Sequence, residues 1–345
     1  MAGTPSSLER FSPATRAWFG STFAAPTPAQ AGAWDAISSG EDALVVAPTG
    51  SGKTLAAFLW SLDRLAARAS PGAAGRPQDR LRVLYVSPLK ALAVDIERNL
   101  RSPLAGITQA AARIGLGAPD ITVGVRTGDT PANERRRFLS APPDILITTP
   151  ESLFLLLTSR AREPLRAVDT IIVDEIHSVA GTKRGSHLVL SLERLDALLA
   201  RPAQRVALSA TVRPVDEVAR FMGGGRTPVV VQAPAAGKVY DLSVVVPVED
   251  MTAPGGPYGE ELPGGAASDA VERSSVWPHL EGRLLELIHE HRSTIVFANS
   301  RRLAERLCAR LNELATKPVA RAHHGSVSRE QRLVIEDDLK GGRLP

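Results

Sequence analysis

The sequence is poor in cysteine, in aromatic residues and in long apolar runs, and each shortage excludes something. The single cysteine, Cys308, cannot form an intramolecular disulfide, and a metal site built on two or more cysteines is excluded. Aromatic residues are 4% of the chain, which argues against a binding site dominated by aromatic stacking. The longest apolar runs, such as Leu153 to Leu157, are too short to span a bilayer, and the first residues, MAGTPSSLERF, do not resemble a signal peptide. We therefore expect a cytoplasmic protein with no membrane partner.

The remaining composition is that of an ordinary globular protein. Of the 345 residues, 43% are hydrophobic and 23% are charged, which favours a sizeable core and argues against disorder. The length allows about two domains. The net charge of +4 permits a polyanionic partner without demanding one.

From Ala43 onwards, short apolar segments alternate with helical patterns. The apolar segments are rich in Val, Ile and Leu and lack strict polar alternation, as is typical of strands covered on both faces. Strands are predicted at 43–47, 82–87, 121–125, 145–149, 169–173 and 204–209. The alternation predicts an α/β fold, a parallel sheet with helices on both faces. Ser12-Pro13 and Thr27-Pro28 each place a capping side chain before a proline, which predicts the starts of two earlier helices.

A Gly- and Pro-rich stretch indicates a division of the chain into domains. We predict an N-terminal helical extension (1–22), a first α/β domain (23–232), a linker or insertion (233–275) and a partial second α/β domain (276–345). In that second domain the pattern predicts strands at 293–298 and 318–322 and helices at 300–314 and 328–339.

Residues 47–54, APTGSGKT, form the strongest single motif. They follow an apolar strand and precede a helix, which is the context in which a Gly-rich loop binds phosphate. The glycines let backbone N–H groups surround a phosphate, and the positive end of the helix points to the same place. Lys53 is suited to reach the terminal phosphates, and Thr54 is suited to bind Mg²⁺. The candidate ATP-binding residues of the loop are Thr49, Gly50, Ser51, Gly52, Lys53 and Thr54.

Another apolar strand ends in two adjacent carboxylates, Asp174 and Glu175. A carboxylate at the C-terminal end of a parallel strand lies where open α/β sheets bind ligands. Asp174 is suited to bind Mg²⁺ through water, and Glu175 to orient and deprotonate an attacking water. Taken by itself, such a pair of carboxylates is as often the solvated end of a loop as part of a catalytic site. Beside a phosphate loop, we interpret it as forming one catalytic site with Lys53.

In combination, the motifs resemble those of superfamily 2 helicases. Asp-Glu-Ile-His at 174–177 resembles their Walker B box, Ser209-Ala210-Thr211 their motif III and Thr27-Pro28-Ala29-Gln30 their adenine-reading Q motif. Residues 87–92 resemble motif Ia, and residues 149–151 resemble motif Ib. The chain resembles the large helicase-related (Lhr) group in particular, through the Asp-Glu-Ile-His box and residues 126–130, 293–302 and 323–326.

This resemblance implies two RecA-like domains, the second incomplete, with ATP and Mg²⁺ as cofactors. The implied activity is ATP-dependent translocation along a single strand, 3′ to 5′, with unwinding of DNA or of an RNA–DNA duplex, and a role in DNA repair. Gln30 is then expected to read adenine, and the residues expected to couple hydrolysis to movement are His177, Ser209, Ala210 and Thr211. The residues expected to contact nucleic acid are Ser87, Pro88, Lys90, Arg126, Thr127, Gly128, Thr149, Pro150, Asn299, His324 and Gly325.

Motifs V and VI of the family are not found in this sequence. Because the arginine finger that motif VI supplies is worth on the order of 10³ to 10⁵ in rate, we expect a truncated form with weak hydrolysis and unwinding by itself. Two alternatives remain: a non-catalytic, ATP-gated nucleic-acid clamp, and an unrelated phosphate-loop enzyme such as a small-molecule kinase. Residues 209–211 and the second domain argue against the kinase.

Overall fold

The computed structural model describes residues 7–68, 79–234, 241–248, 276–315 and 317–345, with the backbone alone for 90–94 and 329. The chain divides into two compact units, Met1–Lys238 and Val239–Pro345. The linker predicted at 233–275 lies largely outside the described residues. Among the described helices, none is both long enough and apolar enough to cross a membrane.

The first unit is built around a seven-stranded parallel sheet of order β3-β4-β2-β5-β6-β1-β7. In chain order the strands are β1 (Ala43–Val46), β2 (Val83–Val86), β3 (Val123–Arg126), β4 (Ile145–Thr148), β5 (Thr170–Val173), β6 (Gln204–Ser209) and β7 (Val229–Gln232). Six of these strands confirm the predicted ones to within two residues at either end. The sequence pattern did not predict β7, a partly exposed edge strand that follows a Gly-rich loop.

Helices cover both faces of this sheet. They are α1 (Pro13–Thr22), α2 (Pro28–Ser38), α3 (Lys53–Arg68), α4 (Lys90–Arg113), α5 (Ala132–Ser140), α6 (Pro150–Leu157), α7 (Lys183–Asp196) and α8 (Val215–Gly223). Successive strand residues point to opposite faces. Thus Tyr85 and Ile172 pack with α1 to α4, whereas Leu84 and Ile171 pack with α5 to α8. The two cores confirm the predicted α/β, RecA-like architecture.

Helices α1 and α2 begin where the sequence predicts. The Ser12 hydroxyl accepts from the backbone N–H of Thr15 (3.4 Å), and the Thr27 hydroxyl accepts from that of Gln30 (3.3 Å). Each cap satisfies one of the N–H groups that a helix start leaves without a partner, typically worth about 1 kcal/mol.

The second unit contains three helices among its described residues, and these confirm both of its predicted helices. They are α9 (Trp277–Glu290), α10 (Arg301–Leu314) and α11 (Arg329–Lys340). The strands predicted at 293–298 and 318–322 were wrong, because neither segment forms a strand in the structure.

Asn312 of α10 accounts for part of this difference. Its side-chain oxygen accepts from the backbone N–H groups of Val319 (2.8 Å) and Ala320 (2.9 Å), and its amide donates to the carbonyl of Ala320 (2.9 Å). These backbone groups are therefore paired with a side chain instead of a neighbouring strand. The first segment is apolar but exposed, with Phe297 at 92%, and has no strand beside it in the described part of the unit.

Candidate active site

The phosphate-loop candidate follows β1 and leads into α3. Gly50 and Gly52 have φ angles of +80° and +81°, which are strained for residues with a side chain. The backbone N–H of Ala47 donates to the carbonyl of Ser209 (3.0 Å), so the loop begins against the end of β6. Thr49 and Gly50 are exposed, whereas Ser51, Gly52 and Thr54 are half-buried.

Lys53 is directed back onto this loop. Its Nζ donates to the carbonyl oxygens of Ala47 (2.5 Å) and Pro48 (2.9 Å), and only 8% of the residue is exposed. Burial lowers the pKa of Lys53, while the negative charges of Glu175 and Asp174 oppose that shift. Strand β1, which leads into the loop of Lys53, and β5, which ends at Asp174, both pair in parallel with β6, so their carboxyl ends lie at the same edge of the sheet. The fold therefore brings together a lysine and two carboxylates that are far apart in the sequence.

Asp174 directly follows β5, and its carboxylate accepts two hydrogen bonds. The sheet register pairs Tyr85 of β2 with Ile172, so Asp174 lies two residues further along the face that Tyr85 occupies. The Tyr85 hydroxyl donates to Oδ2 of Asp174, and the backbone N–H of Glu175 donates to Oδ1 (2.9 Å). Burial and the charge of Asp174 raise the pKa of Tyr85, so the hydroxyl keeps its proton.

Glu175 connects Asp174 to the candidate coupling residues. It is the only residue other than glycine in the described chain with a positive φ, at 45°. Its Oε2 lies 3.4 Å from Nδ1 of His177, and the same nitrogen lies 3.1 Å from Oγ of Ser209. His177 therefore contacts both the carboxylate and the first residue of the Ser-Ala-Thr motif. Ala210 is half-buried and Thr211 is exposed beyond it.

Gln30 is 4% exposed, so it is not an exposed helix residue. Its Oε1 accepts from the backbone N–H of Thr27 (3.0 Å), and its Nε2 donates to the carbonyl of Gly52 (3.5 Å). The Thr27 hydroxyl also donates to the carbonyl of Ser51 (2.8 Å). The start of α2 is thus hydrogen-bonded to the phosphate loop. That Gln30 reads adenine stays a prediction.

Thr54, directly, and Asp174, through water, are the candidate residues for Mg²⁺, and their chemistry fits that ion. Asp174 uses one lone pair on each oxygen, and a carboxylate offers about four such sites. In the described residues, no cluster of three or more His, Cys, Asp or Glu side chains forms a metal cage. Mg²⁺ in nucleotide sites needs none, because it is held by one or two protein oxygens, phosphates and water.

The nucleic-acid candidates of the first unit lie beyond the carboxyl ends of β2, β3 and β4. Most of their side chains are buried, namely those of Ser87, Pro88, Thr127, Thr149 and Pro150. The hydroxyls are used locally, as when Ser87 donates to the carbonyl of Leu89 (3.1 Å) and Thr149 accepts from the backbone N–H of Ser152 (3.4 Å). These residues therefore shape the loop ends. Arg126 is half-buried and Gly128 is exposed, whereas the side chain of Lys90 lies outside the described residues.

Sequence reasoning missed two residues of this edge. Arg135 donates to the carbonyls of Thr130 (2.7 Å) and Gly128 (2.7 Å) and so holds the loop after β3. The desolvation of Arg126, with the charge of Arg135 beside it, lowers the pKa of Arg126. The other missed residue is Tyr85, whose signal was a lone hydroxyl in an otherwise aliphatic strand.

The nucleic-acid candidates of the second unit lie around the start of α10. Nε2 of His324 lies 2.6 Å from Oε1 of Glu305, and its side chain is 13% exposed. Arg301 donates to the hydroxyl of Ser326 (2.9 Å). Asn299 and Gly325 are exposed.

The comparison with known proteins agrees with what these motifs indicate. The DEAD/DEAH box helicase family model matches residues 27–218. The chain is 56% identical, over 98% of its length, to the "Lhr helicase/ probable uracil glycosylase" of Mycolicibacterium smegmatis, and 49% identical, over 99%, to the "Lhr helicase/uracil glycosylase" of Escherichia coli. It spans 23% and 24% of those two proteins.

A solved structure gives the same likeness. The helicase Lhr of Mycobacterium smegmatis, bound to ssDNA and AMP-PNP, superposes with a TM-score of 0.81 at 60% identity, over 98% of this chain and 41% of the other. The sheet, the phosphate loop and the Asp-Glu-Ile-His box described above lie within the matched region. The chain belongs to the DEAD/DEAH box helicase family and is similar within it to the Lhr helicases.

Proposed function

We propose that this chain binds ATP and single-stranded nucleic acid and couples ATP hydrolysis to movement along the strand. The observation that carries the proposal is that Lys53 and the Asp174–Glu175 pair follow β1 and β5, which both pair in parallel with β6, so that they lie at the same edge of the sheet. A buried ammonium group beside two carboxylates at the carboxyl edge of a parallel sheet suits a nucleoside triphosphate.

Each residue has a role that its position supports. Lys53 and the backbone of the glycine loop bind the phosphates, and Glu175 orients and deprotonates the attacking water. Thr54, and Asp174 through water, would hold Mg²⁺, which would neutralise charge on the phosphates. His177 touches both Glu175 and Ser209, so it is suited to transmit a change at the nucleotide to residues 209–211.

In this proposal, charged side chains and backbone groups contact the nucleic acid. Arg126 and the exposed backbone at Gly128 lie on a loop that Arg135 holds in place. In the second unit the candidates are Asn299, His324 and Gly325. Such phosphate contacts give affinity that does not depend on sequence and that decreases with salt.

The finer proposal is translocation 3′ to 5′ with unwinding of DNA or of an RNA–DNA duplex. It rests on the likeness to Lhr helicases, one of which was solved with ssDNA. Fluorescent duplexes with either a 3′ or a 5′ single-stranded tail test it. Unwinding of the 5′-tailed duplexes alone contradicts the polarity.

The main test measures ATP turnover with and without a single-stranded oligonucleotide. We expect turnover to rise with the strand, Glu175→Gln to lower it by about 10² or more, and Lys53→Ala to abolish tight nucleotide binding. Glu163→Gln is the matched control, because Glu163 is exposed and pairs only with neighbouring arginines. Binding of ATP and DNA without turnover would instead favour the clamp. Unchanged nucleotide affinity in Lys53→Ala refutes the site itself.

A further inference from the structure

Tyr85 is the only side chain in the described part of the chain that donates a hydrogen bond to Asp174. Both residues are buried, with Tyr85 at 0% and Asp174 at 7% exposure. A carboxylate in such surroundings rotates unless donors fix its two oxygens. One donor is the backbone N–H of Glu175, and Tyr85 is the other.

The ring of Tyr85 is itself held in place. It stacks on Phe58 with ring centroids 5.1 Å apart and planes 23° apart. Phe58 belongs to α3, the helix that begins with Lys53. The phenol therefore lies between the phosphate-binding helix and the strand end that carries Asp174, and removing its hydroxyl alone leaves this packing intact.

These contacts lead to a role beyond the residues assigned above. We infer that Tyr85 is a positioning residue that orients the carboxylate of Asp174 toward the Mg²⁺ of the bound nucleotide. The inference rests on the proposed function, because it needs a metal–nucleotide complex at Lys53. Partners that orient metal ligands typically change metal affinity or activity by about 10- to 100-fold when removed. We expect the lower end of that range, because Asp174 is expected to reach the ion through water.

A purely structural role is the competing explanation. A buried hydroxyl needs a hydrogen-bond partner, and Asp174 supplies one without any function being involved. The two explanations differ in what they predict for Tyr85→Phe. A structural role lowers stability and leaves the Mg²⁺ dependence of nucleotide binding unchanged, whereas a positioning role alters that dependence.

The experiment titrates MgCl₂ into the full chain with a fluorescent, non-hydrolysable ATP analogue, beside a series in EDTA. We expect Tyr85→Phe to raise the half-saturating Mg²⁺ concentration about tenfold and to leave the metal-free affinity for the analogue within about twofold. Ser191→Ala is the matched control, because it removes another buried hydroxyl in the opposite core. It should change neither value.

A double variant shows whether Tyr85 acts through Asp174. Asp174→Asn should raise the Mg²⁺ requirement, and adding Tyr85→Phe should then have little further effect, since interacting residues are not additive. Normal Mg²⁺ dependence in Tyr85→Phe, or full additivity in the double variant, overturns the inference. Lys53→Ala separates the two failures: if it abolishes analogue binding while Tyr85→Phe behaves as wild type, the inference alone is wrong.

Discussion

The two glycines of the phosphate loop offer a matched pair of substitutions. Gly50 and Gly52 have nearly the same φ, +80° and +81°. An added Cβ at Gly50 meets nothing within 4 Å, whereas one at Gly52 lies 2.5 Å from Nε2 of Gln30. Both alanine variants therefore carry backbone strain, which we take as about 1–2 kcal/mol at each position. Only Gly52→Ala must also move Gln30.

The additional cost follows from what Gln30 would lose. The clash is with the end of a flexible side chain, so Gln30 can rotate away, but it then gives up its bond to the backbone N–H of Thr27. That bond is half of a capping box, and we assign it about 1 kcal/mol. Gly52→Ala should thus lower the free energy of unfolding by about 2–3 kcal/mol, and Gly50→Ala by about 1–2 kcal/mol.

Urea unfolding followed by tryptophan fluorescence measures the difference. Trp34 lies on α2 in the core of the first unit, close to the affected cap. With a slope of about 2 kcal/mol/M, the two midpoints should differ by about 0.5 M. In a Gln30→Ala background the difference should vanish, because no side chain is left to displace. Equal midpoints for the two single variants, or a difference that persists without Gln30, would refute the reasoning.

Two further predictions test a buried ion pair and the coupling contact. Arg205→Met should lower the free energy of unfolding by about 3 kcal/mol in urea, because it removes a buried guanidinium and leaves the half-buried Asp196 with one fewer cation, whereas Arg220→Met at an exposed pair should cost under about 1 kcal/mol; similar losses would contradict this assignment. His177→Ala and Ser209→Ala should each lower strand-stimulated ATP turnover roughly five- to tenfold, the effect of one hydrogen bond of about 1–1.5 kcal/mol. The double variant should be no worse than the poorer single variant, and additive losses would exclude a shared contact.

Local signals made much of the first unit predictable. The strands of the central sheet are continuous apolar segments, and the phosphate loop is defined by residues next to each other in the chain. By contrast, the contact of Tyr85 with Asp174 depends on β2 lying beside β5. Alternation of strands and helices predicts a parallel sheet but leaves the order of its strands open, so no pattern along the chain could reveal that contact.

The wrong strands of the second unit have a related cause. An apolar segment such as 293–298 indicates that a strand can form, but a strand exists only where a neighbour supplies hydrogen bonds. At Val319 and Ala320 the side chain of Asn312 supplies them instead. An asparagine on a helical pattern gives no sign of the backbone that it will pair with.

The strand order also restricts how the two proposed activities of the first unit can communicate. The nucleic-acid candidates follow β3, β4 and β2, whereas the nucleotide candidates follow β5, β6 and β1, so the halves of the sheet meet only between β2 and β5.

At the carboxyl end of that junction, the backbone N–H of Asp174 donates to the carbonyl of Val86 (2.9 Å), and Tyr85 donates to the carboxylate of Asp174. A backbone bond is the same whatever the side chains, so of these two hydrogen bonds only the one from Tyr85 can be changed by substitution. Outside the sheet, Arg184 at the start of α7 pairs with Glu151 of α6 at 2.5 and 3.0 Å, which gives a second and more exposed connection. Because exposed ion pairs contribute little and are screened by salt, we expect the buried junction at Tyr85 to carry more of any coupling within this unit.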